Sequence, residues 1–473
     1  MFQSEANKKP FRSGKTLRFN QPLWHLFIFE WRKIRRRGLL KQLYILLLLL
    51  CVFGYIVLSL QAEEKKMSYL DRLKEVSEST QFFTSRQNDI IERFEVLIAG
   101  AEEANDETVA EGYRKQIANV HKGIAFARER AEKITSALEG FEQGDWLPLY
   151  EYQLFENRFY NMEFETGNID APSLNESVGQ FTVDVSMAEK HWLMERNIQP
   201  VFAGEFTFTI FHQLHEEVID EFKENNRKID HSGLFSLYNY FENFNYFIPM
   251  ILFLFLLGGG FASERGKKNT LHFLKTQPIS LKNIFLGKVM NATSVSVCSC
   301  MTIFGFIVLI GSLFNRFGDW AYPILHYDHP SVVATSAYTG MKSIGNNGFH
   351  FIPLGEYLVQ SIGLFLLCLL FLLVLTIFLS LFFKNQLTVF TTAILIAIVG
   401  YFVSVDYFVE MAYLSPFTYF NIHKIMNGEL SILFDNPSIN IYTGSFVLLS
   451  AILILLIVGY LLLMKREKSV WKI

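Results

Sequence analysis

Six blocks of mostly apolar residues, at 42–60, 245–263, 289–313, 356–382, 388–405 and 443–464, leave this 473-residue chain few options. A run of about 20 apolar residues satisfies its backbone polar groups within its own helix and spans a bilayer. The expected fold is an all-α polytopic membrane protein with six transmembrane helices, carrying a large extracellular α+β domain between the first and second spans. The first block, YILLLLLCVFGYIVLSL, follows a long basic segment and precedes no small-residue cleavage site, so it reads as a retained span and not as a leader. Hydrophobic residues make up 51% of the chain, with 47 Phe and 20 Tyr, and it is their clustering that points to a membrane.

The distribution of Lys and Arg sets the orientation. Residues 1–41 hold eleven basic residues, including Arg32, Lys33, Arg35, Arg36 and Arg37 in one run. The short loop 264–288 holds Arg265, Lys267, Lys268, Lys275, Lys282 and Lys288 against one acid, Glu264. The tail adds Lys465, Arg466, Lys468 and Lys472, whereas 314–355 and 406–440 are poorer in positive charge for their length. Both termini are therefore expected in the cytoplasm, at a bacterial cell membrane. The net charge of −3 hides this asymmetry, and no nucleic-acid partner is expected.

The loop 264–288 also reads as structured. Asn269 or Thr270 can cap a short helix carrying Leu271, Phe273 and Leu274 and ending before Pro278, and Ser280 can cap the next. An amphipathic helix on the inner membrane face suits a cytoplasmic partner; an ordinary topology-setting loop is the plainer alternative.

The order Glu264-Arg265, Thr270-Leu271, Leu274, Pro278-Ile279-Ser280 and Leu286-Gly287-Lys288 resembles the cytoplasmic loop of permease subunits of type-2 ATP-binding-cassette exporters. LSPFTYF, Leu414 to Phe420, is similar to the segment before that family's last helix. The resemblance covers the membrane half, roughly 230 residues, and nothing in 61–241. It implies that Glu264, Arg265, Thr270, Leu271, Phe273, Leu274 and Pro278 couple the chain to a separate ATPase subunit, with Glu264 and Arg265 as its polar contacts. ATP and Mg would then sit on that partner, and this chain would be neither an enzyme nor the holder of a cofactor. The resemblance also implies a second permease subunit, as homodimer or heterodimer. Export of an amphipathic or hydrophobic substrate (peptide, lipid or drug) follows as the expected function. A membrane sensor or scaffold that signals to a cytoplasmic partner is the alternative.

Two further segments flank the spans. PLWHLFIFEWRKIRRRG places Trp24, Phe27, Trp31 and Arg32 on a helix lying along the inner membrane surface before residue 42. The resemblance makes this an elbow helix beside the ATPase site; an anchor to anionic membrane lipid is the alternative. Residues 406–440 are too polar for a clean span and too aromatic for a free loop, and Pro416 and Gly428 break them into short pieces. The family implies re-entrant helices there, with Pro416 and Tyr419 at a gate.

Residues 61–241 divide into two parts. From about 63 to 140 the chain lacks proline, and Phe83, Ile90, Ile91, Phe94, Leu97 and Ile98, then Tyr113, Ile117, Val120, Ile124 and Ile134, recur at helical spacing on either side of GAEEAND. A helical hairpin is expected, its stripe packed on the protein's own core or presented to a ligand. From about 141 to 232 aromatic residues crowd together, and FTVDVSM, Phe181 to Met187, alternates as a strand would.

Catalytic chemistry is scarce. SGKT, Ser13 to Thr16, lacks the earlier glycine of a phosphate-binding loop. His212 and His215 are spaced three apart, not the four of a zinc-protease helix, and metal binding is not expected there. His25, His272 and His423 read as interfacial. Cys51, Cys298, Cys300 and Cys368 all lie in spans and read as packing residues.

Overall fold

The computed structural model describes residues 21–36, 38–166, 178–265 and 279–470. They are mostly helical, with one small sheet. Among the described residues, five helices are long and apolar enough to cross a membrane: α2 (Leu39–Glu103), α9 (Leu281–Phe314), α10 (Leu354–Leu379), α11 (Gln386–Phe402, extended by a π turn to Tyr407) and α14 (Ile441–Val470). The chain is a membrane-spanning protein.

The expected span at 245–263 takes a different form. α7 (Gly233–Glu242) and α8 (Phe247–Leu257) pass the same test only as a pair, bent by 73°. The bend falls at Phe244, whose φ of 58° ends α7 in the left-handed region. α8 then stops at Gly258, Gly259 and Gly260, where a Cβ on the first would stand 2.6 Å from Thr376 and one on the third 2.3 Å from Ser380. Backbone contact with α10, available only to glycine, fixes that end.

α10 lies at the centre of the bundle. Leu364, Phe365, Cys368, Leu369, Phe371 and Leu372 are all buried, packed by α8, α9, α11 and α14. The span portion of α2 is the most peripheral, with Leu49, Phe53 and Ile56 exposed. Lipid covers such a face without a partner, so it carries no argument for pairing.

The first span does not end at residue 60. α2 continues as one helix to Glu103, so roughly 40 residues, or about 60 Å at 1.5 Å each, stand beyond the apolar stretch. Asn105 turns the chain with φ 56°, and Asp106 caps α3 (Glu107–Gln143) by accepting from the Val109 amide at 3.3 Å. The hairpin matches its apolar stripe: Ile90, Ile91, Phe94 and Ile98 are half-buried in the seam, and Phe94 stacks on Tyr113. Phe83 and Leu97 of the expected stripe are exposed. Only the base has a core of its own, where Tyr69 and Leu73 meet Ile134, Ala137, Leu149 of α4 (Leu147–Thr166) and Phe202.

The expected strand Phe181–Met187 is instead part of α5 (Gln180–Glu195). Besides Val183, its buried positions Phe181, Thr182, Val185, Ser186, Glu189, Lys190 and Leu193 advance by helical steps along one face. The apolar alternation misleads because half of this face is polar and still buried. Each polar group is matched by the irregular segment 201–215 or by Lys228. Thr182 bonds Thr209 at 2.7 Å, Ser186 Oγ accepts from the Thr207 amide at 2.8 Å, Glu189 pairs with Lys228, and Lys190 donates to the Glu205 carbonyl at 2.6 Å. α6 (Glu216–Asn225) follows.

Strands occur in the segment between α9 and α10. β1 (Pro323–Asp328), β2 (Met341–Lys342) and β3 (Gly348–Pro353) form an antiparallel sheet in the order β1-β3-β2. Tyr327, Phe349 and Phe351 pack one face of it onto Phe181 and Val185 of α5. The α+β expectation thus needs revising: among the described residues, those of 61–241 are helical or irregular, and the sheet comes from the later loop.

Burial pushes Lys190 from 10.5 down to about 8. Below about pH 8 folded and unfolded chains both carry this proton, and the burial penalty is constant. Between about 8 and 10.5 only the unfolded chain keeps it, so stability should rise with pH, by about 3 kcal/mol in all at ~1.4 kcal/mol per unit. Thermal melts in detergent should show a larger midpoint gain from pH 7.5 to 10 in the wild type than in Lys190→Met; parallel curves would contradict this.

Candidate functional site

Four charged side chains meet inside the protein where α1 (Gln21–Arg36) crosses the start of α9. Lys288 Nζ donates to Glu30 Oε1 and to Glu264 Oε1, each at 2.8 Å, and Lys33 bonds the same Glu264 oxygen. Lys33 also lies 3.6 Å from Glu30. The Glu264, Glu30 and Lys288 side chains are 1%, 9% and 6% exposed, so two carboxylates and one ammonium are almost wholly desolvated. Two cations against two anions leave the cluster neutral, the condition under which such burial is tolerated.

Local sequence explains how these groups come together. Ser280 caps α9 by accepting from the Asn283 amide at 3.4 Å. Two turns in, Gly287 faces Leu26 of α1, and a Cβ there would stand 3.2 Å from the leucine Cβ. That close approach lets Glu30, one turn after Leu26, reach Lys288, the residue after Gly287. Glu264 arrives on the 3-10 turn Ala262–Glu264 that follows the three glycines. Arg265 next to it donates to the carbonyls of Phe383 at 3.1 Å and Leu381 at 3.3 Å, tying the same turn to the end of α10.

Glu264 and Arg265, expected as polar contacts for a partner, are therefore turned into the chain's own packing, where they fix the base of the loop that follows. Thr270, Leu271, Phe273, Leu274 and Pro278 lie outside the described residues. In α1, Trp24, Trp31 and Arg32 point outward while Leu26 and Glu30 point in; Trp24 stacks on Phe27 with centroids 5.3 Å apart. Of the apolar residues of this helix, Leu26 is the one that turns fully inward, and Glu30 was not among the residues expected at a site. An acid one helical turn after a leucine, on an otherwise apolar stripe, was the available signal.

At the other end of the bundle, a cavity of about 830 Å³ lies between α6, α7, β1 and the segment 423–429. Lys228, Glu242, Lys424 and Glu429 give its walls both signs of charge, and Phe235 and Ile324 supply apolar surface. Glu242 Oε2 is buried with no hydrogen-bond partner, while its Oε1 accepts from Tyr238 at 3.4 Å.

Residues 406–440 form the short pieces anticipated for them: 3-10 turns at Val409–Leu414 and Thr418–Phe420, then α12 (Ile422–Met426) and α13 (Glu429–Leu433), separated by Gly428 with φ 74°. Tyr419 is fully buried, donates to the Tyr413 carbonyl at 2.7 Å, and presses its ring where a Cβ on Gly444 would fall. Pro416 is half-buried beside it. His423, expected at an interface, is half-buried at the wall of that cavity, where the Tyr357 hydroxyl lies 2.8 Å from its Nδ1.

No family model, curated protein or solved structure matches this chain.

Removing Lys288 would leave two buried carboxylates sharing the one cation Lys33. Lys288→Met is expected to cost about 3–5 kcal/mol of stability, read as a large fall in the detergent melting midpoint. Trp24→Ala, on the outward face of the same helix, should leave that midpoint nearly unchanged. Similar midpoints for the two variants would contradict the cluster's role.

Proposed function

We propose that this chain is the membrane-spanning permease subunit of an ATP-binding-cassette exporter, with ATP hydrolysis on a separate subunit and both termini in the cytoplasm. The observation that carries the proposal is a convergence. Glu264, Gly287 and Lys288, which belong to the loop sequence resembling that family, meet the amphipathic helix α1 in one buried cluster at the foot of the bundle. In the sequence, residues 266–278 join Arg265, next to Glu264, to the start of α9, which carries Lys288. A force applied to the loop would thus pass to α1, α8, α9 and, through Arg265, α10 as a unit.

The cavity at the opposite end supports cargo with an apolar body and a charged or polar end, since its walls offer both kinds of surface. The α2–α3 hairpin and the sheet would stand outside the cell and flank the exit. A sensor whose hairpin binds a ligand draws support from Phe82, Val96 and Leu97, exposed toward the hairpin tip, where little else covers them. The charge cluster has no evident task in a passive sensor, and we favour the permease.

Leu274→Asp places a charge among the apolar residues Leu271, Phe273 and Leu274 of the sequence and leaves Glu30, Lys33, Glu264 and Lys288 unchanged. In membrane nanodiscs containing this chain and its ATPase, the variant should lower permease-stimulated ATP hydrolysis by about tenfold, ~1.4 kcal/mol, with unchanged elution of the permease on gel filtration. Stimulation at the wild-type level would overturn the assignment of this loop.

A further inference from the structure

We infer that His326, Asp328 and His350 form a binding site for a divalent transition metal ion of the zinc class, on the sheet outside the membrane helices. β1 and β3 pair with His326 opposite His350 and Asp328 opposite Gly348. Successive side chains of a strand point to opposite faces, so His326 and Asp328, two apart, share one face with His350. The other face is the one packed on α5. One ligand atom from each of the three lies within 4.8 Å of the other two, and the imidazole centroids are 4.6 Å apart.

The surroundings prepare these groups for a cation. His326 Nδ1 donates to the Met426 carbonyl at 2.9 Å, which leaves Nε2 as a bare lone pair. A backbone acceptor on the far nitrogen is the usual partner of a metal-bound histidine. His350 Nδ1 lies 3.0 Å from both oxygens of Asp328, so a proton here holds together two groups that an ion would bridge. Tyr338 donates to Asp328 Oδ2 at 2.8 Å and fixes the carboxylate. Gly428 faces the Nε2 edge of His326, where a Cβ would stand 3.1 Å from that nitrogen. The Asp328 side chain is 10% exposed and that of His350 43%, which gives a dry floor and an open side.

Two imidazoles and one carboxylate favour zinc over magnesium or calcium, which prefer oxygen ligands in larger number. Three protein ligands leave a fourth position for water. The site also reaches the turn between α12 and α13, through Met426 and through the Tyr327 amide, which donates to the Asn427 carbonyl at 2.8 Å. A bound ion would therefore brace the sheet against the segment 406–440. This inference does not depend on the transporter proposal.

The full chain, purified in detergent with a tag free of histidine and stripped with a chelator, should be dialysed against Zn²⁺ and its metal counted by elemental analysis. We expect about one zinc per chain at micromolar free metal, not displaced by excess Mg²⁺, and at least about tenfold weaker binding in His350→Ala. Co²⁺ should give the visible absorption of a four-coordinate site in the wild type and lose it in the variant. His350 is half-exposed, so its metal-free melt should match the wild type; if it does not, Asp328→Asn takes its place. Absence of stoichiometric zinc, or equal affinity in the folded variant, would overturn the site.

Discussion

Lys288 is held between Glu30 and Glu264, and much of the membrane half is arranged around that contact. A buried ammonium without partners would cost several kcal/mol, so the chain must bring both carboxylates to it. Glycine at 287 admits Leu26 and sets the depth of α1. The glycines at 258–260 end α8 against α10 and deliver Glu264. Lys33 supplies the second positive charge, and Arg265 extends the junction to the end of α10. The four charges balance, and all but Lys33 are almost wholly buried. Their geometry cannot relax at one member without weakening the pairing of another.

The opposite end is built differently. There the bent pair α7–α8, the sheet and the short helices α12 and α13 meet through tyrosine hydroxyls, backbone carbonyls and aromatic edges, as in Tyr246 donating to the Phe420 carbonyl and Tyr357 meeting His423. Gly311 of α9 approaches the backbone of Gly233 so closely that a Cβ would stand 2.7 Å away, and Arg316 pairs with Asp230 beside it. Contacts of this kind are numerous but individually weak. The cavity of about 830 Å³ opens among them, whereas the one beside Glu30, Lys33 and Lys288 holds only about 50 Å³.

Much of this was legible in the sequence because a bilayer demands long apolar runs, and helical hairpins demand stripes. The spans at 42–60, 289–313, 356–382, 388–405 and 443–464, the turn at Gly100–Asp106 and the broken segment 406–440 all declared themselves in this way. Three features did not. α5 hid because its buried face is half polar, and only the loop at 201–215 explains how Thr182, Ser186 and Lys190 are satisfied. The bend at Phe244 hid because tertiary contacts stabilise a left-handed phenylalanine that no propensity would suggest. The sheet hid inside a stretch read as a plain loop, although PILHYD and GFHFIP alternate as strands do. Of the charged cluster, Glu264, Gly287 and Lys288 were visible through resemblance. Glu30 was not, since its pairing with Lys288 spans 258 residues of chain.

We propose that a separate ATPase works on this chain through the segment that follows Glu264, and purification of the chain from its native membrane in mild detergent would decide the matter. Mass spectrometry of the co-eluting proteins should find a stoichiometric subunit bearing a complete phosphate-binding loop. Reproducible recovery of a kinase, or of the chain without any ATPase, would contradict the account.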